Sequence, residues 1–258
     1  MKRKVLIIIN PGEDPKADNY CRGVYVDRDN YIRYFRSPGG GYYGDHEIEV
    51  LERPSVFLLN VTLVLLESYE FSIVIFCGHG FYSSKSSSNI LELKEGHTFD
   101  SLRFKDNVAK RIIILDSCRQ VHDEYLNESE IKKAMFSAEA LGREQVLDGE
   151  KCRRYYNKRI TECDDQIISC FAADVDELAN DSDSFGGYYS SNLLKSADKI
   201  IATKLKTVNL TTHYHISSVF GPHTNASQEV KTLSGGKQNP VIEKPRLSGN
   251  LLPFLVVA

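Results

Sequence analysis

The stretch Arg111-Ile112-Ile113-Ile114-Leu115-Asp116-Ser117-Cys118 decides the fold class of this chain. It sets four consecutive branched apolar residues between a basic residue and an acid, a pattern typical of a strand buried on both faces of a parallel sheet. A cysteine comes just after this strand. Because open α/β sheets bind ligands outside the carboxyl ends of their strands, the thiol of Cys118 is expected at the edge of the sheet where active sites usually lie.

A second run of the same form lies upstream, Phe71-Ser72-Ile73-Val74-Ile75-Phe76-Cys77-Gly78-His79-Gly80, and it ends in a histidine. Two such strands in one sheet would bring His79, a base, beside Cys118, a nucleophile. The imidazole would accept the thiol proton and later return a proton to a leaving amine. Each residue alone has a commoner explanation, as a buried structural cysteine or a loop histidine.

The two motifs together resemble the caspase-like cysteine peptidases, a family that includes caspases and metacaspases. Its members have an apolar strand that ends in His-Gly and a later one that ends in Asp-x-Cys, matched here by His79-Gly80 and Asp116-Ser117-Cys118. The resemblance implies a three-layer α/β/α sandwich with a mostly parallel central sheet. It also implies a cysteine endopeptidase with His79 and Cys118 as its dyad, and with an oxyanion site at Gly80 and Cys118.

The same resemblance suggests a substrate pocket. In metacaspases an aspartate after a Gly-x-x-x spacing, matched by Gly23 and Asp27, and the aspartate two residues before the cysteine, matched by Asp116, face the side chain before the cut. Two carboxylates would favour Arg or Lys there. Asp27 could equally cap the helix predicted near it. After the cysteine the chain reads Arg119-Gln120, nearer to the Arg-Gly of caspases, so a preference for an acidic residue before the cut stays open.

Composition narrows the function classes further. The 258 residues fit one domain, 1–258, and a net charge of −3 with a pI near 6.2 gives no sign of a nucleic-acid-binding surface. No apolar stretch approaches the ~20 residues of a membrane span. The apolar run after Met1 is too short for a secretory signal. Six cysteines without a C-x-x-C pair favour free thiols in the cytoplasm.

The element order is predicted as β-α-β-α-β-β up to Cys118, which favours a parallel sheet with helices on both faces. Residues 54–66 are predicted as a helix that Pro54 starts, and Phe81 to Asp100 as a loop or small hairpin. Past the site, 166–174 is predicted as a strand and the stretch from Phe185 toward Ile201 as a helix.

Residues 120–165 are polar, charged and poor in β-branched residues, which predicts an exposed loop region, with a helix at Glu130 to Ala140 left open. By resemblance this segment is the linker between a large-fragment-like part, 1–119, and a small-fragment-like part, 166–258. Its basic residues are candidate sites of activating cleavage, by the chain itself or by an upstream protease: Arg143, Lys151, Arg153, Arg154, Lys158 and Arg159. The plainer alternative is a solvated charged face.

No cofactor is expected, although calcium stays open. Some metacaspases need calcium, but the acids Asp123, Glu124, Asp181 and Asp183 do not align convincingly with their site, and His213 with His215 has no evident third ligand. The expected partners are a protein or peptide substrate and an activating protease or regulator. A catalytically silent interaction module remains the alternative. A nucleotide-binding domain is disfavoured because Asn10-Pro11-Gly12-Glu13 lacks the glycine pattern. The resemblance also implies a role in antiviral defence or cell death.

Overall fold

The computed structural model describes residues 1–121, 147–245 and 249–258. The strands in chain order are β1 (Arg3–Asn10), β2 (Ile48–Glu52), β3 (Phe71–Gly78), β4 (Gly80–Ser83), β5 (Ser88–Lys94), β6 (His97–Asp100), β7 (Lys110–Asp116), β8 (Gln166–Phe171), β9 (His215–Ser218), β10 (Val241–Glu243) and β11 (Pro253–Val257). The α-helices are α1 (Gly23–Arg36), α2 (Val56–Leu66), α3 (Gly149–Glu162), α4 (Tyr188–Thr207) and α5 (Phe220–Leu233). Short 3-10 helices span Asp45–Glu47 and Ser101–Lys105.

The central sheet has the strand order β10-β8-β7-β3-β1-β2. Strands β2, β1, β3, β7 and β8 run parallel to their neighbours, and β10 pairs antiparallel with β8 at the edge. The apolar runs of β1, β3 and β7 are buried on both faces, as their unbroken hydrophobicity predicts. This is the predicted three-layer sandwich.

Each face of the sheet carries its own core. One core packs odd-numbered residues of β1, such as Val5 and Ile7, against helices α1, α3, α4 and α5. The other packs Leu6 and Ile8 against α2, β5, β6 and the second 3-10 helix. Within the described ranges, no helix combines the length and the apolar character that crossing a bilayer requires.

Two predictions about elements need correction. Residues 81–100 form neither a loop nor a simple hairpin, because β4, β5 and β6 make a three-stranded antiparallel sheet that buries Leu91 and Leu93. Helix α2 starts at Val56, where the Ser55 hydroxyl accepts the Leu58 N–H at 3.1 Å; Pro54 precedes this cap. The closing strand β11 pairs with β9 outside the main sheet.

The largest correction concerns the predicted linker. Residues Gly149–Glu162 form α3 and not an exposed loop, because Cys152, Tyr156 and Ile160 recur every four residues and bury one face of the helix in the core. The possible helix at Glu130 to Ala140 and the residue Arg143 lie outside the described residues. The division of the chain into fragment-like parts stays a prediction.

Candidate active site

The site is built at the carboxyl edge of the central sheet. In the register of adjacent strands, Gly78 of β3 lies beside Asn10 of β1, and Cys77 of β3 lies beside Asp116 of β7. The loops that follow these three parallel strands therefore begin side by side. His79 follows β3, and Cys118 follows β7.

A loop after β1 contacts the imidazole of His79. The Nε2 atom lies 2.7 Å from the carbonyl oxygen of Asn19 and 3.5 Å from Sγ of Cys21. A carbonyl oxygen only accepts hydrogen bonds, so the contact with Asn19 assigns the ring proton to Nε2. Nδ1 then keeps its lone pair, as a base requires. Neither Asn19 nor Cys21 was predicted from the sequence to be part of the site.

The thiol of Cys118 contacts the segment that follows β8. The N–H of Ala179 donates to Sγ at 3.4 Å, and Sγ lies 3.7 Å from the Ala179 carbonyl oxygen. The thiol is half-buried, so it is screened from bulk water without being sealed off.

Gly80 has a structural reason to be glycine. A Cβ atom there would lie 3.0 Å from the Ile90 carbonyl oxygen and 3.1 Å from both Cβ and Oγ of Ser117. The strand that follows His79 therefore packs closely against the residue before Cys118. Its predicted oxyanion role stays a prediction.

Asp27 and Asp116 meet at the amino end of α4. Both carboxylate oxygens of Asp27 accept from the Gly187 N–H, at 3.1 and 2.9 Å, and Oδ2 of Asp116 accepts from the Ser190 N–H at 2.9 Å. The residues are 2% and 7% exposed. The prediction that Asp27 caps the helix beside it is wrong: α1 begins at Gly23, and Asp27 binds the residue that precedes α4.

The two carboxyl groups repel each other in a dry environment. Burial and the charge of Asp116 hold the pKa of Asp27 well above its ordinary value. Burial raises the pKa of Asp116 to about 6, although the hydrogen bonds from Ser190 act to lower it. Asp181 raises both pKa values, so it is a third nearby acid. No Lys or Arg forms an ion pair with Asp27 or Asp116 among the residues that the structure describes.

Two glycines allow this close approach. A Cβ at Gly186, where φ is +85°, would lie 2.1 Å from Oδ1 of Asp27, and one at Gly187 would lie 2.3 Å from Oδ2 of Asp116. Only residues without a side chain can cover the two carboxylates in this way. The sequence shows Gly186-Gly187 as a helix entry, but their contact with the acids depends on the tertiary fold.

Comparison with known proteins identifies the family and the fold. A family model described as a caspase domain matches residues 3–252. The chain belongs to the caspase family. The crystal structure of caspase-1 from Spodoptera frugiperda superposes with a TM-score of 0.56 at 11% identity, covering 94% of this chain and 86% of that chain. At this identity the likeness shows the caspase fold alone. No curated protein matches the sequence.

In this caspase fold the candidate cleavage residues lie on α3, apart from Arg143. Arg153 donates to both carboxylate oxygens of Glu47, at 2.6 and 2.7 Å, and Lys151 donates to the Leu210 carbonyl oxygen at 2.6 Å. Burial acts to raise the pKa of Glu47, but Arg153, the Gly44 amide and Arg3 lower it to about 2. The other candidates lie along the same helix: Arg154 and Lys158, which are exposed, and Arg159.

The candidate metal ligands that the structure describes in this caspase-family chain are not assembled into a site. Among the described residues no group of three or more His, Cys, Asp or Glu could hold a metal ion. Nδ1 of His213 lies 2.6 Å from the Thr212 hydroxyl, and burial lowers the pKa of His215. Asp181 lies near the two pocket acids and Asp183 is exposed, whereas Asp123 and Glu124 lie outside the described residues.

Proposed function

We propose that the chain is a cysteine endopeptidase that uses Cys118 and His79 and cleaves after Arg or Lys. One observation carries the choice of substrate. Asp27 lies beside Asp116, which is two residues before Cys118, and both acids are buried without an ion-pair partner in the described parts of the chain. Burying two unneutralised acids is costly unless a cation joins them. A substrate guanidinium or ammonium supplies that cation.

The chemistry follows from the protonation states. Nδ1 of His79 takes the thiol proton, and the thiolate attacks the peptide carbonyl carbon, forming a C–S bond and an oxyanion. When the intermediate collapses, the C–N bond breaks and the imidazolium gives its proton to the leaving amine. Water then hydrolyses the thioester. Backbone N–H groups at Gly80 and Cys118 are the candidates for binding the oxyanion.

The Asn19 carbonyl supports this role for His79. Its 2.7 Å hydrogen bond with Nε2 orients the ring and stabilises the imidazolium that forms after proton transfer. A backbone carbonyl here takes the place of the carboxylate that orients histidine in many other hydrolases.

The pocket acids lie under Gly186-Gly187, and Cys118 contacts Ala179, so residues 179–187 cover both the nucleophile and the acids. This segment has to move for a basic side chain to reach Asp116. Such a movement fits an enzyme that is made inactive and activated later. Activation by cleavage of residues 122–146, with Arg143 as the candidate site, remains part of the proposal.

The test is a set of fluorogenic tetrapeptides that differ only in the residue before the cut, with Arg, Lys, Asp or Leu there. We expect cleavage after Arg and Lys. Cleavage after Asp would favour the caspase-like alternative, and no cleavage together with no labelling of Cys118 by a peptide electrophile would favour a silent interaction module.

The cellular setting is also proposed. The six cysteines form no disulfide in the described structure, which supports a reducing compartment such as the cytoplasm. A role in antiviral defence or cell death remains the expectation drawn from the family resemblance.

A further inference from the structure

A second polar site lies on the other side of the loop that follows β7 and carries Cys118 and Arg119, here called the nucleophile loop, and away from the substrate pocket. It is a cavity of about 30 Å³ between β5, β7, β8 and the second 3-10 helix. At ~10–15 Å³ per water, this is room for two or three water-sized particles. Its polar lining residues include Asn89, Ser101, Lys105, Arg119, Ser169 and the acid Glu243.

Arg119 brings a buried positive charge to this cavity. It is 7% exposed; its Nε donates to Oδ1 of Asn89 at 2.8 Å, and its Nη1 donates to the Ala173 carbonyl oxygen at 3.2 Å. Its guanidinium carbon lies 4.3 Å from the centre of the Phe171 ring. No carboxylate forms an ion pair with it within the described ranges. Asp174, Glu177 and Glu243 act on the charge of Arg119 only from beyond ion-pair distance, and its direct contacts are with dipoles and ring faces.

Asn89 adds an unused donor beside this charge. The side chain is 1% exposed, its Oδ1 is occupied by Arg119, and its Nδ2 has no hydrogen-bond partner in the described part of the chain. Buried amide donors are rarely left unpaired. The hydroxyls of Ser101 and Ser169 line the same space. The carboxylate in the lining, Glu243, is held by Lys105 at 2.8 Å.

We infer that this cavity binds a compact inorganic anion, of a size between chloride and phosphate, through Arg119 and the Nδ2 donor of Asn89. An anion satisfies the unpaired donor and neutralises the buried guanidinium at once. A water molecule would accept from Nδ2 but would leave the charge of Arg119 unchanged. The small volume favours compact anions over larger organic ones.

Through Arg119, an anion in this cavity would also hold the nucleophile loop in place. Arg119 follows Cys118, and its backbone N–H and carbonyl oxygen bond Glu177 and Asp176, each at 2.9 Å. An anion held between Arg119 and Asn89 ties this loop to β5.

The experiment measures the unfolding midpoint of the full chain at fixed pH and ionic strength, as sodium gluconate is replaced by sodium chloride or, in a second series, by sodium phosphate. Gluconate is too large for the cavity. We expect a saturable rise of about 3–6 °C with at least one of the two small anions. Asn89→Asp places a fixed carboxylate beside Arg119, so we expect a higher midpoint in gluconate and no further response to small anions.

Ser84→Asp is the matched control, because it adds the same charge at an exposed position of the same β4–β5 connection. It should keep the full response. If phosphate acted only by general exclusion from the protein surface, Asn89→Asp would respond like the wild type, and the inference would be wrong. Equal midpoints in all three salts would also overturn it. Should Asn89→Asp fail to fold, Ser169→Ala must weaken the apparent anion affinity at least threefold; an unchanged affinity would again count against the site.

Discussion

Nε2 of His79 lies 2.7 Å from the carbonyl oxygen of Asn19, and this contact decides which ring nitrogen can act as the base. The proton belongs on Nε2, so the lone pair is on Nδ1. The same nitrogen lies 3.5 Å from Cys21, so two cysteines, Cys21 and Cys118, are candidates for a thiol beside the histidine. We assign the chemistry to Cys118 because it follows β7, the strand that pairs with β3, and His79 follows β3.

The dyad should behave as one unit in kinetics. We expect His79→Ala to reduce peptide cleavage by at least ~1000-fold, and His79→Ala with Cys118→Ala to be little worse than either change alone. The measurement is kcat/KM with an Arg peptide, alongside the unfolding midpoint to show that the variants fold. Losses that multiply in the double variant would mean that the two residues act independently.

Asp116 should determine the preference for a basic residue. Asp116→Asn keeps the size of the side chain and removes the charge, so we expect kcat/KM for Arg and Lys peptides to fall by at least ~100-fold. Asp183→Asn is the control, since it removes an exposed acid from the neighbouring loop. If both variants lose activity equally, the effect is one of general charge and the pocket assignment fails.

Activity should rise with pH as Asp116 ionises. Its pKa is raised to about 6, and only the ionised form attracts a substrate cation. We expect kcat/KM for an Arg peptide to increase as pH rises through about 6. A peptide with citrulline in place of Arg, which has no charge, should lack this increase. If kcat/KM rises with pH in the same way for both peptides, the titrating group belongs to the dyad and is not Asp116.

Stability should change with pH in the opposite direction. A carboxyl group whose pKa is raised from 3.8 to about 6 binds its proton more tightly in the folded state, so the free energy of unfolding falls as pH rises between these values. The shift corresponds to about 3 kcal/mol. Asp116→Asn should therefore be more stable than the wild type at pH 7 and equally stable at pH 3.5. Urea titrations at both pH values test this, and an Asn variant less stable at pH 7 would contradict it.

The ion pair between Arg153 and Glu47 should stabilise the fold. Arg153→Ala removes two short hydrogen bonds from a largely buried carboxylate, so we expect a loss of about 2 kcal/mol. Lys158→Ala, on the exposed face of α3, should cost little.

Because α3 is folded into the core, autolytic cuts mapped by mass spectrometry should fall after Arg143 and not within Gly149–Glu162. Cuts within α3 that precede unfolding would contradict this.

The sequence was most informative where one signal decides the structure. The unbroken apolar runs of β3 and β7 predicted strands buried on both faces. The residues that follow these runs, His79 and Cys118, predicted which two loops meet at the edge of the sheet. The error in α3 arose because the charged residues between Cys152, Tyr156 and Ile160 hide an apolar stripe with a helical spacing. A search for that spacing would have found the helix.

Other parts of the site depend on contacts between distant segments. Strand β1 lies beside β3 in the sheet, which brings the loop that contains Asn19 next to His79. The order of the strands along the chain does not determine which of them are neighbours. Asp27 is bonded by Gly187, which is far away in the chain, so its environment depends on the packing of α4 against α1. The unpaired donor of Asn89 likewise depends on the fold, which brings Arg119 to Oδ1 and no acceptor from the described residues to Nδ2.

The most direct test of the central claim is to treat the wild type, Cys118→Ala and Cys21→Ala with an electrophilic peptide that carries Arg before its reactive carbonyl, and to locate the adduct by mass spectrometry. Each protein is also assayed for cleavage of the matching Arg peptide. The proposal predicts an adduct on Cys118 in the wild type and in Cys21→Ala, with cleavage retained, and neither adduct nor cleavage in Cys118→Ala. An adduct on Cys21, or cleavage that survives in Cys118→Ala, would contradict it.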